Sequence, residues 1–139
     1  MRRAATAILL ALGGPGLAQE GDALAQGRAA IESVILDQLG DFNRRDVPGA
    51  WEHASPLIQR LFGTPDRFGA MVEEGYPMVW TNGDAQFLEL RLQDGSPWQK
   101  VLIRDAEGRP WVLDYEMVVV GEDWRIDGVI VLPAPEVTS

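Results

Sequence analysis

The hydrophobic period of this chain changes once, near Met78, and that change limits the fold more than any other feature. Before it, apolar residues recur three and four apart. After it, they alternate. Helices that bury one stripe, followed by strands that bury one face, predict an α+β domain with the helices packed on one face of an antiparallel sheet.

In the first half, Asp22 to about Arg45 reads as a long helix. Ile31, Val34, Ile35, Leu39 and Phe42 share a stripe, and Glu32, Asp37 and Asp41 fall off it. Asp46-Val47-Pro48-Gly49 stops and restarts the chain, because proline cannot continue a helical ladder. A short helix carrying Ala50, Trp51 and Ala54 follows. Ser55-Pro56 and Thr64-Pro65 each pair a capping side chain with proline at the first helical position, where its missing N–H costs nothing. Gly63 and Gly75 end the helices so begun. The crowded punctuation from His53 to Pro77 therefore marks helix boundaries.

In the second half, Leu88, Leu90 and Leu92 alternate with Glu89 and Arg91, and Asp94-Gly95 marks a turn. Gln99, Val101 and Ile103 alternate with Lys100, Leu102 and Arg104, and Ala106-Glu107-Gly108 turns again. A long third strand puts Trp111, Leu113, Tyr115, Met117 and Val119 on one side, the first four of them sharing a face with the helices. Val112, Asp114, Glu116, Val118 and Val120 face away. After Gly121-Glu122-Asp123, Trp124 to Leu132 forms the last strand, and Gly128 in its middle predicts a bulge or a close backbone approach. No repeat or linker divides residues 19–132, which read as one domain, and residues 133–139 read as a disordered tail.

The start of the chain reads as an export signal. Met1-Arg2-Arg3 is a basic opening, Ala4 to Leu12 is apolar apart from Thr6, and Gly16-Leu17-Ala18 offers small residues for cleavage after Ala18. The apolar run is about half of the ~20 residues a membrane-spanning helix needs. Residues 1–18 are thus expected to be a cleaved signal peptide, the mature protein periplasmic or secreted, with no membrane attachment afterwards. The chain carries 21 acidic residues against 12 basic ones, and the loss of Arg2 and Arg3 with the signal peptide would make the mature protein more acidic still; such a charge repels nucleic-acid backbones, so no nucleic-acid partner is expected. An exported domain without cysteine must be held by its core, since no disulfide can form.

Ala50-Trp51, Ala54-Ser55-Pro56, Ile58-Gln59, Phe62-Gly63, Pro65, Phe68, Met71-Val72 and Gly75-Tyr76-Pro77 resemble an exported bacterial family catalogued as domain of unknown function 4864. Gln99-Lys100-Val101, Gly108, Tyr115-Glu116-Met117 and Trp124 to Val129 stand where that family's later motifs are expected. The likeness spans roughly Ile31 to Leu132 and departs at Met78-Val79-Trp80, where a second proline and then a tyrosine are expected. The resemblance implies the cone-like architecture of the nuclear transport factor 2-like superfamily, with helices cradled by a strongly curved sheet. It implies no activity, and fold alone selects none.

Residue chemistry narrows the functions. No cysteine and a single histidine, His53, leave no metal site, and no metal or cofactor is expected. Asp123 to Gly128 superficially resembles a calcium loop, but Arg125 and Ala134 stand where oxygen ligands belong. There is no nucleophile elbow. His53 reads as an exposed residue near a helix end rather than a general base. The inner wall predicted from alternation is Gln99, Trp111, Leu113, Tyr115 and Met117. An apolar wall with one phenol and one amide suits a small apolar ligand, and it equally suits a filled core. The expected function is a non-catalytic module binding a small ligand or a protein. One alternative is an acid–base enzyme of isomerase or dehydratase type, with Tyr115 as donor and Asp127 as base if Gly128 bulges the strand. A third is a homodimer joined through Val112, Val118 and Val120, with Val129 or Val131 added.

Overall fold

The computed structural model describes the backbone from Pro15 to Pro133 and side chains from Leu24 onward. The signal segment therefore lies largely outside the described residues, as does the tail beyond Pro133. Among the described residues, five helices lead into four strands: α1 (Pro15–Asn43), α2 (Val47–Glu52), α3 (Pro56–Phe62), α4 (Pro65–Gly75), α5 (Pro77–Trp80), then β1 (Gly83–Gln93), β2 (Ser96–Arg104), β3 (Pro110–Val120) and β4 (Asp123–Leu132). The strands form one antiparallel meander, β1-β2-β3-β4, curved around the helices. The α+β class expected from the sequence is the observed one.

The stripe on α1 packs as its spacing requires: Ile31, Ile35, Leu39 and Phe42 are buried against the sheet and the later helices. α1 begins earlier than expected, at Pro15. Helices α2, α3 and α4 each start with a side-chain cap, whereas α5 has none. Asp46 accepts from the Gly49 N–H at 3.1 Å, Ser55 from the Ile58 N–H at 3.2 Å, and Thr64 from the Arg67 N–H at 3.2 Å. Gly63, at φ +82°, ends α3 in a conformation that an L side chain resists. The strand period does not begin at Met78. Pro77–Trp80 adds one more helical turn that buries Met78 and Val79, and the sheet starts at Gly83.

The helices and the sheet are joined at two places. Residues 53–55 pass beside β4 in a single parallel bridge between Ala54 and Ile126, with the Ser55 N–H donating to the Ile126 carbonyl and the Ile126 N–H donating to the His53 carbonyl, both at 2.8 Å. At the other end, the Asn82 amide donates to the carbonyls of Leu39 and Val79, and Asn43 accepts from the Asn82 N–H. Arg45 stacks on Trp80 at 4.3 Å and donates to the Trp80 carbonyl and the Thr81 hydroxyl. These bonds tie the end of α1 to the start of the sheet.

Three departures from strict alternation reshape the faces, the first of them a register shift between Gly83 and Gln86 at the start of β1. In β1 the register shifts between Phe87 and Leu90, so Phe87 and Leu90 pack on the core while Leu88 drops out of it and Leu92 is largely exposed. In β4 one residue, Asp127, is inserted between the Met117–Ile126 and Glu116–Gly128 pairs. That bulge swaps the parity of the strand. Val129 and Val131 consequently face inward with Tyr115 and Leu113, not outward as one expectation had it. Each extra residue also bends its strand, which helps to curve the sheet.

Candidate functional site

An apolar cavity of about 260 Å³ lies between the short helices and the sheet. α3 roofs it with Ile58, Leu61 and Phe62, and α4 adds Phe68, Met71 and Val72. The floor is Tyr115 of β3, with Ile126, Val129 and the backbone of Gly128 from β4. The β4 bulge thus shapes the site: it turns Val129 toward the cavity and brings Gly128 to its edge. Phe42 and Gln38 close the side next to α1. Phe68 stands among three aromatic neighbours, with ring centroids 5.9 Å from Phe42, 5.5 Å from Trp51 and 6.0 Å from Phe62.

Three lining side chains carry a polar end group: Gln38, Tyr115 and the half-buried Tyr76. The Gln38 amide donates to the Ala50 carbonyl at 3.0 Å, holding α2 on α1. Tyr115 is 1 % exposed, and its hydroxyl has no hydrogen-bond partner among the described residues. Leaving a buried hydroxyl unpaired costs about 1–3 kcal/mol. Burial also pushes the ionisation of this phenol well above the usual tyrosine range, so it stays protonated and able to donate. No Asp, Glu, His, Lys or Arg lines the cavity.

The other residues expected to form the inner wall are placed as follows. Gln99 is fully buried directly opposite Tyr115. Its amide donates to the carbonyls of Leu88, Glu89 and Lys100 at 3.1, 3.3 and 2.9 Å, covering backbone groups that the β1 bulge leaves unpaired, while its own oxygen has no partner among the described residues. Trp111 sits near the β2–β3 turn, where its indole N–H donates to Asp105 at 2.9 Å. That bond, helped by the Arg109 and Glu107 N–H groups, holds the Asp105 carboxyl below its usual range. Leu113 and Met117 pack in the core away from the cavity lining. Asp127 is the inserted residue of the β4 bulge, half-exposed, and does not line the cavity, so the structure does not bring it to the cavity with Tyr115.

His53 differs from its expected exposed position. It is half-buried at the end of α2, with Nε2 3.7 Å from an Asp41 carboxylate oxygen. Asp41 is itself buried, although its place off the apolar stripe suggested solvent, and Arg44 pairs with it at 2.6 Å. On the opposite face of the sheet, Arg91 binds Asp114 through both carboxylate oxygens, at 3.0 and 2.7 Å. Among the described residues, no cluster of three or more His, Asp or Glu side chains suits a metal ion, and no helix is long and apolar enough to cross a membrane.

Helices laid on a curved antiparallel meander, with a mostly apolar cavity between the two layers, define the class of this domain. The chain belongs to the family described as Domain of unknown function (DUF4864), whose model matches residues 24–139. No curated protein and no solved structure matches it.

Proposed function

We propose that this domain is a non-catalytic module that binds a small apolar molecule in the cavity between α3, α4 and the sheet. One observation carries the reading. A cavity of about 260 Å³ lies between the helices and the sheet, with almost wholly apolar walls and no charged side chain in its lining. Concave apolar space with a few polar groups at its rim is what a small apolar molecule occupies. The acid–base alternative lacks support at this cavity, because it needs a carboxylate there and none lines it. We further propose that the curved-sheet architecture is that of the nuclear transport factor 2-like superfamily. The basic opening and apolar run before Ala18 support export and action in the periplasm or outside the cell.

Benzene is a direct probe of an apolar cavity. Titrated against methyl-labelled protein, it should shift the signals of Ile58, Val72, Val79, Ile126 and Val129. Val72→Phe, which fills the same space, should abolish the shifts. Shifts spread over exposed methyls such as Ile130, or none at all, would refute cavity binding.

A homodimer is a second reading, favoured by Ile130, which is 49 % exposed on the outer sheet face with Val118 and Val120 on the same side. Val112, between Leu102 and Leu132 in the register, is already buried within the monomer. Light scattering that gives a monomer mass at every concentration would remove this reading.

A further inference from the structure

We propose that α3 is a lid on the cavity, hinged at Ser55 and Gly63 and latched by Gln59, which swings open to admit the ligand while the rest of the domain stays folded. The inference rests on the reading of the cavity as a small-molecule site and adds the way in.

α3 is fastened more weakly than its neighbours. α1 and α4 place several residues in the core, α2 buries Ala50, and α5 buries Met78 and Val79. α3 buries none: Ile58 and Phe62 are half-buried and Leu61 is 67 % exposed. Its backbone bonds close on its own turn, with the Gln59 N–H donating to the Ser55 carbonyl at 2.9 Å and the Gly63 N–H to the Gln59 carbonyl at 2.8 Å. Among the described residues, one hydrogen bond ties α3 to another helix, from the Gln59 side-chain amide to the Trp51 carbonyl at 2.9 Å. The rest of its hold is apolar. Phe62 meets the Phe68 ring edge-on at 6.0 Å, and Ile58 and Leu61 lie over the cavity. Side chains above empty space lack partner atoms on that side, so they contribute less attraction than the same groups in a packed core.

The two ends suit a hinge. Ser55 is buried and fixed to β4 through its N–H to the Ile126 carbonyl, while its hydroxyl caps the helix at the Ile58 N–H. That end is the pivot. At the other end, Gly63 has φ +82° and stands in open space, where an added Cβ would meet only the Arg67 guanidinium, at 3.9 Å. Thr64 then starts α4 with its own cap, so the backbone between the helices turns at glycine, which accepts a wide range of angles. A swing about these points keeps both caps. It breaks the Gln59–Trp51 bond, parts Phe62 from Phe68 and uncovers the cavity.

Thiol labelling tests the lid. The sequence contains no cysteine, so Val72→Cys puts a single thiol on the cavity wall, at a residue 5 % exposed. Val101→Cys puts one in β2, fully buried and away from the cavity, where it reports global unfolding. Without denaturant, a bulky thiol reagent should label Val72→Cys roughly a hundredfold faster than Val101→Cys. Low urea should hardly change the first rate and should raise the second steeply, because a lid exposes little surface. Adding Gln59→Met, which removes the latch and keeps most of the side chain, should speed the labelling of Val72→Cys roughly five- to tenfold, the worth of one hydrogen bond. Equal rates with equal urea dependence at the two sites would overturn the lid, since the cavity would then open only by unfolding. An unchanged rate for Val72→Cys after Gln59→Met would overturn it too, because the opening would lie elsewhere. Saturating benzene should slow the labelling of Val72→Cys; if it does not, the small-molecule reading of the cavity fails while the lid stands. Should Val72→Cys fold poorly, Val79→Cys, at another buried lining residue, carries the same test.

Discussion

Tyr115→Phe should make the empty protein more stable, which is an unusual expectation for a fully buried tyrosine. A buried tyrosine normally gives its hydroxyl a partner, and losing that bond costs about 1 kcal/mol. Here the hydroxyl has no partner among the described residues, so the variant removes a desolvation penalty of about 1–3 kcal/mol and keeps the ring in place. Some relaxation around the oxygen is inevitable, and a gain of about 1–2 kcal/mol is expected. With an unfolding entropy of about 2.1 cal/mol/K per residue for a domain of this size, the midpoint should rise by about 4–8 °C. Urea and thermal unfolding of ligand-free protein measure this directly. The pH dependence gives a second readout. Burial raises the folded-state pKa of Tyr115 above its unfolded value near 10. The corresponding stability is fully present below that unfolded value and is lost as the pH rises past it, by about 1.4 kcal/mol per unit. The variant should lack that one increment of alkaline slope. A variant less stable than wild type by about 1 kcal/mol would mean that the hydroxyl is hydrogen-bonded, and the reasoning would be refuted.

Other substitutions test the parts that position the site. Gln99→Leu strands the carbonyls of Leu88, Glu89 and Lys100 at the β1 bulge, and chemical denaturation should register a loss of about 2–3 kcal/mol. Arg91→Met leaves Asp114, 6 % exposed, without its bidentate partner. Arg91 keeps some contact with water, so the cost should be about 2–3 kcal/mol, below that of a fully buried pair, and an unchanged urea midpoint would show the pair to be inconsequential. At Gly69 an added methyl would sit 3.0 Å from both methyls of Val47, whereas at Gly75 it meets nothing within 4 Å. Gly69→Ala should therefore destabilise by about 1 kcal/mol and Gly75→Ala should be neutral or slightly stabilising; the reverse order in thermal melts would contradict the close α2–α4 approach.

Much of this architecture was legible in the sequence because local chemistry sets it. The α1 stripe, the Ser55-Pro56 and Thr64-Pro65 starts, and the alternation of Leu113, Tyr115 and Met117 each follow from a spacing or a cap. The bulges were harder to read. β1 and β4 carry apolar residues on both faces, so inserting Asp127 or shifting the register near Leu88 leaves the apolar pattern nearly unchanged while exchanging the faces. Gly128 was the one signal of the β4 bulge, and no comparable residue marks the shift between Phe87 and Leu90 in β1. The clasp of Asn43, Arg45 and Asn82 joins positions far apart in the chain and has no local signature. Of the predicted inner wall, Tyr115 reaches the cavity, while Gln99 and Trp111 hold backbone and turn groups together. A cavity is a mismatch of volume between packed layers, and periodicity records direction, not volume.

The most direct measurement is native mass spectrometry on protein recovered from the compartment in which it acts. A binding module should carry extra mass that leaves on denaturation, and the released molecule should be apolar and uncharged. Protein that is ligand-free as isolated, and still takes up no apolar molecule when offered a mixed extract of the same cells, would contradict the account.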